Sequence, residues 1–406
     1  MTTLYAGAAR MNMCLRAIVR LRHEISAALF AALAAFAAPF ASARLPDRAE
    51  LMRLRAGAAG IEVAGIVMVE IDERGRLRAV ADGCAQFAAD GRRGRGARGP
   101  GGLQRVASIS KLFTAAAIVD LERRGALDLD RGIDAWLGAA WRHPAFAGQP
   151  LTVRQLLNHT ASLIDSEQYW AAWPARIVAD GATHRFDPEH PPGTYFRYSN
   201  FGYVLLGQVL ESVTGQRFDR WMNIRWLQPA KIRGGFNWSA PRRVAPRQIV
   251  TLYRKQGSDG LWRPEGPWIP QIDAVAGGAP QPPDGLHDYR AGLNGSIFSP
   301  HGGLRISIPD LARWLHRLEP SLFEHMVRGA YRIAADGHNG DSEDGFYTDI
   351  GLGLHAYRLG AHGEVWGHFG DAYGLRAAVL RHPTSRRVWA YAITGYADDP
   401  DRAAPR

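Results

Sequence analysis

Cysteine and lysine are both scarce in this 406-residue chain, and each scarcity carries information. Two cysteines, Cys14 and Cys84, cannot build a disulfide framework or a cysteine-rich zinc site. Of the 49 basic residues only Lys111, Lys231 and Lys255 are lysine. Where a positive charge alone suffices, this chain uses arginine. A retained lysine therefore marks a place where arginine cannot substitute, and the usual reason is a need to lose the proton. No sequence period repeats, which argues against solenoids and propellers. The formal charge of +10 is spread along the chain without an aromatic-interleaved basic stripe. The arginines thus read as solvated surface, and no nucleic-acid partner is expected.

A membrane-spanning stretch is also lacking. The uncharged apolar run Ile25–Phe40 falls short of the ~20 residues that cross a bilayer. It follows Arg16, Arg20 and Arg22 and precedes Ala41-Ser42-Ala43. A basic segment, an apolar core and a small-x-small site predict a secretory signal peptide over residues 1–43, cleaved after Ala43. Met11 or Met13 as the start would leave that pattern intact. The expected location is periplasmic or secreted, with no stable membrane span after cleavage. Removal takes four Arg and one Glu, lowering the formal charge from +10 to +7 and leaving Cys84 as the sole cysteine.

What is present is strand at both ends and helix between. Residues 61–71 read as a buried strand with 75–82 as its hairpin partner, and 90–102 as a Gly/Arg loop. Residues 108–125 have strong helical character, closed by Gly125, with shorter helices at 152–159 and 201–214. The Gly/Pro-rich stretch 256–300 reads as a long surface excursion, a candidate lid. A helix at 307–319 opens with Ser307 and Pro309, and strands follow at 349–357, 364–369, 374–381 and 388–395. This order predicts an α/β (α+β) chain with one sheet built from both termini. The sheet lobe covers about 44–105 and 300–406, and an α lobe at about 106–299 is inserted between its halves.

Three short elements carry chemistry. In Ser108-Ile109-Ser110-Lys111 the hydroxyl and amine share one helix face, where a neutral lysine could take the serine proton. Alone, S-x-x-K is more often an N-cap followed by a surface lysine. Tyr198-Ser199-Asn200 offers a phenol whose pKa a cationic lysine would lower, and a carboxamide able to bind Lys111 and a substrate carbonyl. In His368-Phe369-Gly370, His368 could donate to a substrate carboxylate or to Tyr198, and Gly370 lets a ligand backbone approach.

In this order the elements resemble the serine β-lactamase and penicillin-binding-protein superfamily, specifically its class C β-lactamase, D,D-peptidase and esterase branch. Supporting segments are LERRGALDLD, LTVRQLLNHTASL at 151–163, PPGTYFRYSNFGYVLLGQVLESVTG at 191–215 and SPHGGLRISIPDLARWL at 299–315. The resemblance implies an antiparallel sheet flanked by helices, an inserted all-α domain and a site in the cleft between them. It implies Ser108 as nucleophile, Lys111 and Tyr198 as the acid–base pair, Asn200 as substrate positioner, and the backbone N–H groups of Ser108 and Asp371 as oxyanion hole. It implies a small-molecule or peptide substrate and no cofactor; no metal is expected, because the histidines show no ligand spacing on one helix face. H-x-G stands where lactamases carry K-T-G, and a neutral imidazole anchors a carboxylate poorly. Asp371 would repel an anionic substrate if it faced the cleft. The family's C-terminal helix is missing after Tyr396, so the N-terminal helix compensates or a sheet edge is exposed. The implied activity is an exported serine hydrolase acting by acyl-enzyme formation on D-amino-acid peptides or small esters, with β-lactam turnover at most weak. The alternative is a non-catalytic or single-turnover penicillin- or peptidoglycan-binding module. The loop 336–345 reads as a solvated acidic turn, and Trp170, Trp173, Trp262 and Trp268 as packing residues.

Overall fold

The computed structural model describes residues 45–396, apart from 57–61, 93, 167–168, 179–184, 238–247, 258–262, 264, 273–281 and 344. The expected signal peptide and Trp262 lie outside the described residues.

The strands are β1 (Gly65–Ile71), β2 (Leu77–Phe87), β3 (Gly94–Ala97), β4 (Gln104–Arg105), β5 (Gly235–Phe236), β6 (Leu252–Lys255), β7 (Trp268–Ile272), β8 (Leu304–Ile306), β9 (Tyr331–Arg332), β10 (Asp349–Ile350), β11 (His355–Arg358), β12 (Glu364–Ala372), β13 (Leu375–Arg381) and β14 (Val388–Thr394). Nine of them form one antiparallel sheet in the order β3-β2-β1-β14-β13-β12-β11-β10-β9. The two ends of the chain meet at its centre. Every residue of β1 and β14 is buried, and they pair from Gly65↔Thr394 to Ile71↔Val388. Their Val/Ile-rich sequences suit strands covered on both faces. Two small sheets, β4-β8-β5 and β6-β7, lie beside it.

The main helices are α1 (Arg48–Arg55), α2 (Ser110–Arg123), α3 (Asn200–Thr214), α4 (Ile308–Arg317) and α5 (Pro320–Val327). Helix α1 opens with a capping box between Asp47 and Glu50. It seats Leu51 on the outer sheet face, among Ile66, Met68, Leu380, Trp389 and Ile393. The inner face, through Val379 and Ala390, shares a core with α2, α3 and α4.

The expected strand 349–357 splits into β10 and β11, because Gly351 and Gly353 turn the chain between them, with Gly353 at φ 75°. The expected loop 90–102 contains β3, which pairs with β2 because β2 runs on to Phe87. The surface-excursion expectation fails for residues 289–300. Tyr289, Asn294 and Phe298 are buried there, and the Asn294 amide donates to the carbonyls of Ala171 and Ala175, both at 2.8 Å. Among the described residues no helix is long and apolar enough to cross a membrane.

Candidate functional site

The site is built around a strained turn. The chain leaves β4 through Val106 and enters Ala107 at φ 47°, a left-handed conformation that costs a non-glycine residue about 1–3 kcal/mol. Ser110 holds the turn. Its hydroxyl donates to the Ala107 carbonyl at 2.6 Å and accepts from the Leu304 N–H of β8 at 3.0 Å. Ser108 sits in the resulting 3₁₀ turn Ala107–Ile109, one step ahead of α2 rather than inside it. From the other side β12 closes in at Gly370, where a Cβ would collide with the Val106 carbonyl. The close approach that Gly370 permits is therefore by the chain's own backbone.

Lys111 is fully buried on the first turn of α2. Its ammonium nitrogen reaches Ser108 Oγ at 3.1 Å, Asn200 Oδ1 at 2.7 Å and the His301 carbonyl at 2.9 Å. Burial brings its pKa down to about 7, with the Asp165 carboxylate pulling the other way.

Tyr198 shares a hydrogen bond with Ser108, and its ring centre lies 4.9 Å from Lys111 Nζ. The expected lowering of its pKa is overturned: desolvation pushes the phenol well above its ordinary value, opposed only in part by Ser108. Tyr198 is therefore a neutral hydroxyl.

Asn200 opens α3 with its amide oxygen on Lys111 and its amide nitrogen 2.9 Å from Asp165 Oδ2. Asp165 also accepts from Ser199 Oγ at 2.8 Å, Asn200 N at 2.8 Å and Phe201 N at 2.9 Å. Nothing local in the sequence marks Asp165. Its role depends on a fold that brings it to Asn200 across 35 residues of sequence.

His368 is buried, with Nδ1 2.6 Å from the Phe369 carbonyl. A carbonyl only accepts, so Nδ1 carries the proton and Nε2 presents a lone pair. Desolvation first, then Lys111, takes the His368 pKa down to about 3. The expectation that His368 donates to a substrate carboxylate is thus corrected. His355 packs 4.5 Å from His368, and His159 stacks 4.5 Å from Tyr198, both buried and held neutral by desolvation. His159 accepts from the Ser199 N–H at 3.1 Å.

Asp371 does not face the cleft. Strand side chains alternate, so Asp371 shares the face of Phe369, which packs in the outer cluster, while His368 and Gly370 face the Ser108 turn. It pairs across the hairpin with Arg376 at 3.0 Å. Its side chain therefore points away from Ser108, so the condition for repelling an anionic substrate by facing the cleft is not met; only its backbone lies on the strand beside Ser108.

Trp173 packs against Tyr289 and Trp268 against Phe87, while Trp170 is exposed. The 336–345 loop is tied to the segment before Tyr198 by Asp341 N donating to Phe196 O at 2.9 Å and Tyr195 Oη donating to Asp341 Oδ1 at 2.6 Å. Among the described residues one group, Asp187, Glu189 and His190, has ligand atoms spaced for a metal ion, but Arg197 stands 2.8 Å from Asp187 and supplies that positive charge.

Serine, lysine, tyrosine and asparagine converging between an antiparallel sheet and a helical layer define the class of serine-hydrolase-type folds. Within that class the chain matches the Beta-lactamase family model over residues 63–406, and it belongs to that family. It is 31% identical to Penicillin-binding protein 4* of Bacillus subtilis (strain 168) over 159 residues, 36% of this chain and 33% of that protein. The match thus spans about a third of that relative's length. The fold is similar to that of a D-stereospecific amidohydrolase from Streptomyces sp., with TM-score 0.59 and 24% identity over 86% of this chain and 95% of the other. It is also similar to the octameric penicillin-binding protein homologue from Pyrococcus abyssi, with TM-score 0.62 and 22% identity over 88% and 74%.

Proposed function

We propose that this chain is an exported serine hydrolase that forms an acyl-enzyme at Ser108 on an amide or ester carbonyl. The observation that carries the proposal is the fully buried Lys111 amine, 3.1 Å from Ser108 Oγ, with its pKa brought down to about 7. Neutral Lys111 takes the Ser108 proton as Oγ attacks the carbonyl carbon. Charge developing on the carbonyl oxygen is met by the backbone N–H groups of Ser108 and Asp371. Tyr198, a neutral hydroxyl, gives its proton to the departing nitrogen or oxygen and is reprotonated through Lys111. Water then attacks the ester, and the same groups run in reverse. Asn200 holds Lys111 in register and keeps one amide hydrogen for the substrate.

The substrate class follows from charge. His368 is neutral and presents a lone pair, Asp371 and Arg376 pair on the outer face, and Arg105 donates to Gly302 O and Ser299 Oγ. Arg105 also brings a cation near His301 and Tyr169, but its guanidinium is held by those two oxygens beside the site. Neutral esters and D-amino-acid amides or peptides therefore suit it better than anionic β-lactams. The similarity to a D-stereospecific amidohydrolase supports the same class. Purified protein should hydrolyse a short-chain nitrophenyl ester measurably and nitrocefin slowly. Fast nitrocefin turnover would reverse the assignment of His368. One equivalent of product without turnover would favour a binding module of this fold, the reading that the name of the Bacillus subtilis relative suggests. Export is supported by the signal-like N-terminus and is tested by N-terminal sequencing, which should begin at Arg44.

A further inference from the structure

Helix α3 already has an N-cap, because the Ser199 hydroxyl accepts from Gly202 N at 3.1 Å. Asp165 is therefore surplus to ordinary capping, yet it takes four hydrogen bonds from residues 199–201. Two of them come from Asn200, one from the backbone and one from the side-chain nitrogen. A carboxylate only accepts, so it selects the NH₂ end of the Asn200 amide and turns the oxygen end away. That oxygen is the atom 2.7 Å from Lys111 Nζ. The flipped amide would set its oxygen against the Asp165 carboxylate, two acceptors face to face, and would withdraw that oxygen from Lys111.

We propose that Asp165 is a positioning residue for the acyl-transfer reaction: it locks the Asn200 amide so that its oxygen holds Lys111 against Ser108. This rests on the serine-hydrolase reading above. Asp165 touches neither nucleophile nor base, and it acts through Asn200. Its charge also opposes loss of the Lys111 proton. The other groups facing Lys111 are His159, His301, His355, His368, Tyr198 and Tyr203; those facing Asp165 are Arg185, Tyr169 and Tyr198. The histidines are held neutral by burial, so Asp165 is the anion that Lys111 responds to.

The test is the pH dependence of covalent labelling by a fluorophosphonate, counted per mole of folded protein. Asp165→Asn removes the charge and the selection of the amide's NH₂ end. The plateau rate is expected to fall ~10-fold or more, on the scale of a lost charge-assisted hydrogen bond. The midpoint of the acid limb is expected to move to lower pH. Asp165→Glu keeps the charge but displaces it, so the midpoint should stay near wild type while the plateau falls. Asp165→Asn and Asn200→Ala together should cost less than the product of their separate effects. A role in helix stability alone would lower Tm and leave the midpoint and per-mole rate unchanged. That result, or strict additivity with Asn200→Ala, overturns the proposal. Should Asp165→Asn fail to fold, Asp165→Glu with a wild-type plateau overturns it equally. Wild type that labels no faster than Ser108→Ala would instead overturn the serine-hydrolase reading itself.

Discussion

At the scale of single residues, the proposed chemistry rests on Lys111. A buried amine with its pKa near 7 is a base at neutral pH, so the rate at Ser108 should rise with pH through about 7 and then level off. Lys111→Arg keeps the charge and much of the length, but guanidinium does not give up its proton. Labelling should then fall by ~10³-fold or more, on the scale of a lost catalytic base. The same burial has a stability consequence of known sign. The unfolded lysine titrates near 10.5, so between about 7 and 10.5 the unfolded chain binds the extra proton. Lys111 therefore destabilises the fold fully below pH 7, and that cost fades as pH rises through the window. The residue was legible in sequence because lysine is otherwise avoided. Its partner Asp165 was not, because only the folded chain brings it to Asn200.

At the scale of elements, the placement of Ser108 depends on β12 pressing against the 106–109 turn. Gly370→Ala forces a Cβ into the Val106 carbonyl and must push the turn away. A displacement near 1 Å typically costs ~10²-fold in rate, so labelling should fall by about that much while most of the fold survives. A thermal melt beside the labelling rate separates the two effects. Helix α3 carries a second, independent titration. Glu211 is buried and accepts from Tyr289 Oη at 2.6 Å, Gly292 N at 2.7 Å and Phe218 N at 2.8 Å. Burial raises its pKa to about 7, against those hydrogen bonds. A raised carboxyl stabilises fully below its unfolded value near 4.5, and that contribution is lost as pH climbs through 7. Glu211→Gln should flatten the stability–pH curve between about 4.5 and 7. An unchanged slope would remove Glu211 as its source. Strong periodicity made α2, α3 and α4 legible within a residue or two. The short strands β3 and β9 were not, since pairing partners elsewhere decide them.

At the scale of the whole molecule, helix α1 covers part of the outer sheet face. Leu51 is fully buried against β1, β13 and β14, so Leu51→Ala should cost about 2–5 kcal/mol, read as a lowered urea midpoint, with labelling per folded mole little changed. The architecture was legible as strand–helix–strand order, while the burial of 289–300 was hidden by its Gly/Pro-rich composition. Roles of charge were the least legible: the neutrality of His368 and the outward turn of Asp371 follow from desolvation and strand pleat. The central claim, that neutral Lys111 activates Ser108, is tested most directly by intact-mass analysis of fluorophosphonate labelling across pH. The account predicts one adduct per chain, absent in Ser108→Ala, forming faster as pH rises through about 7. An adduct that persists in Ser108→Ala, or a rate flat from pH 5 to 9, would contradict it.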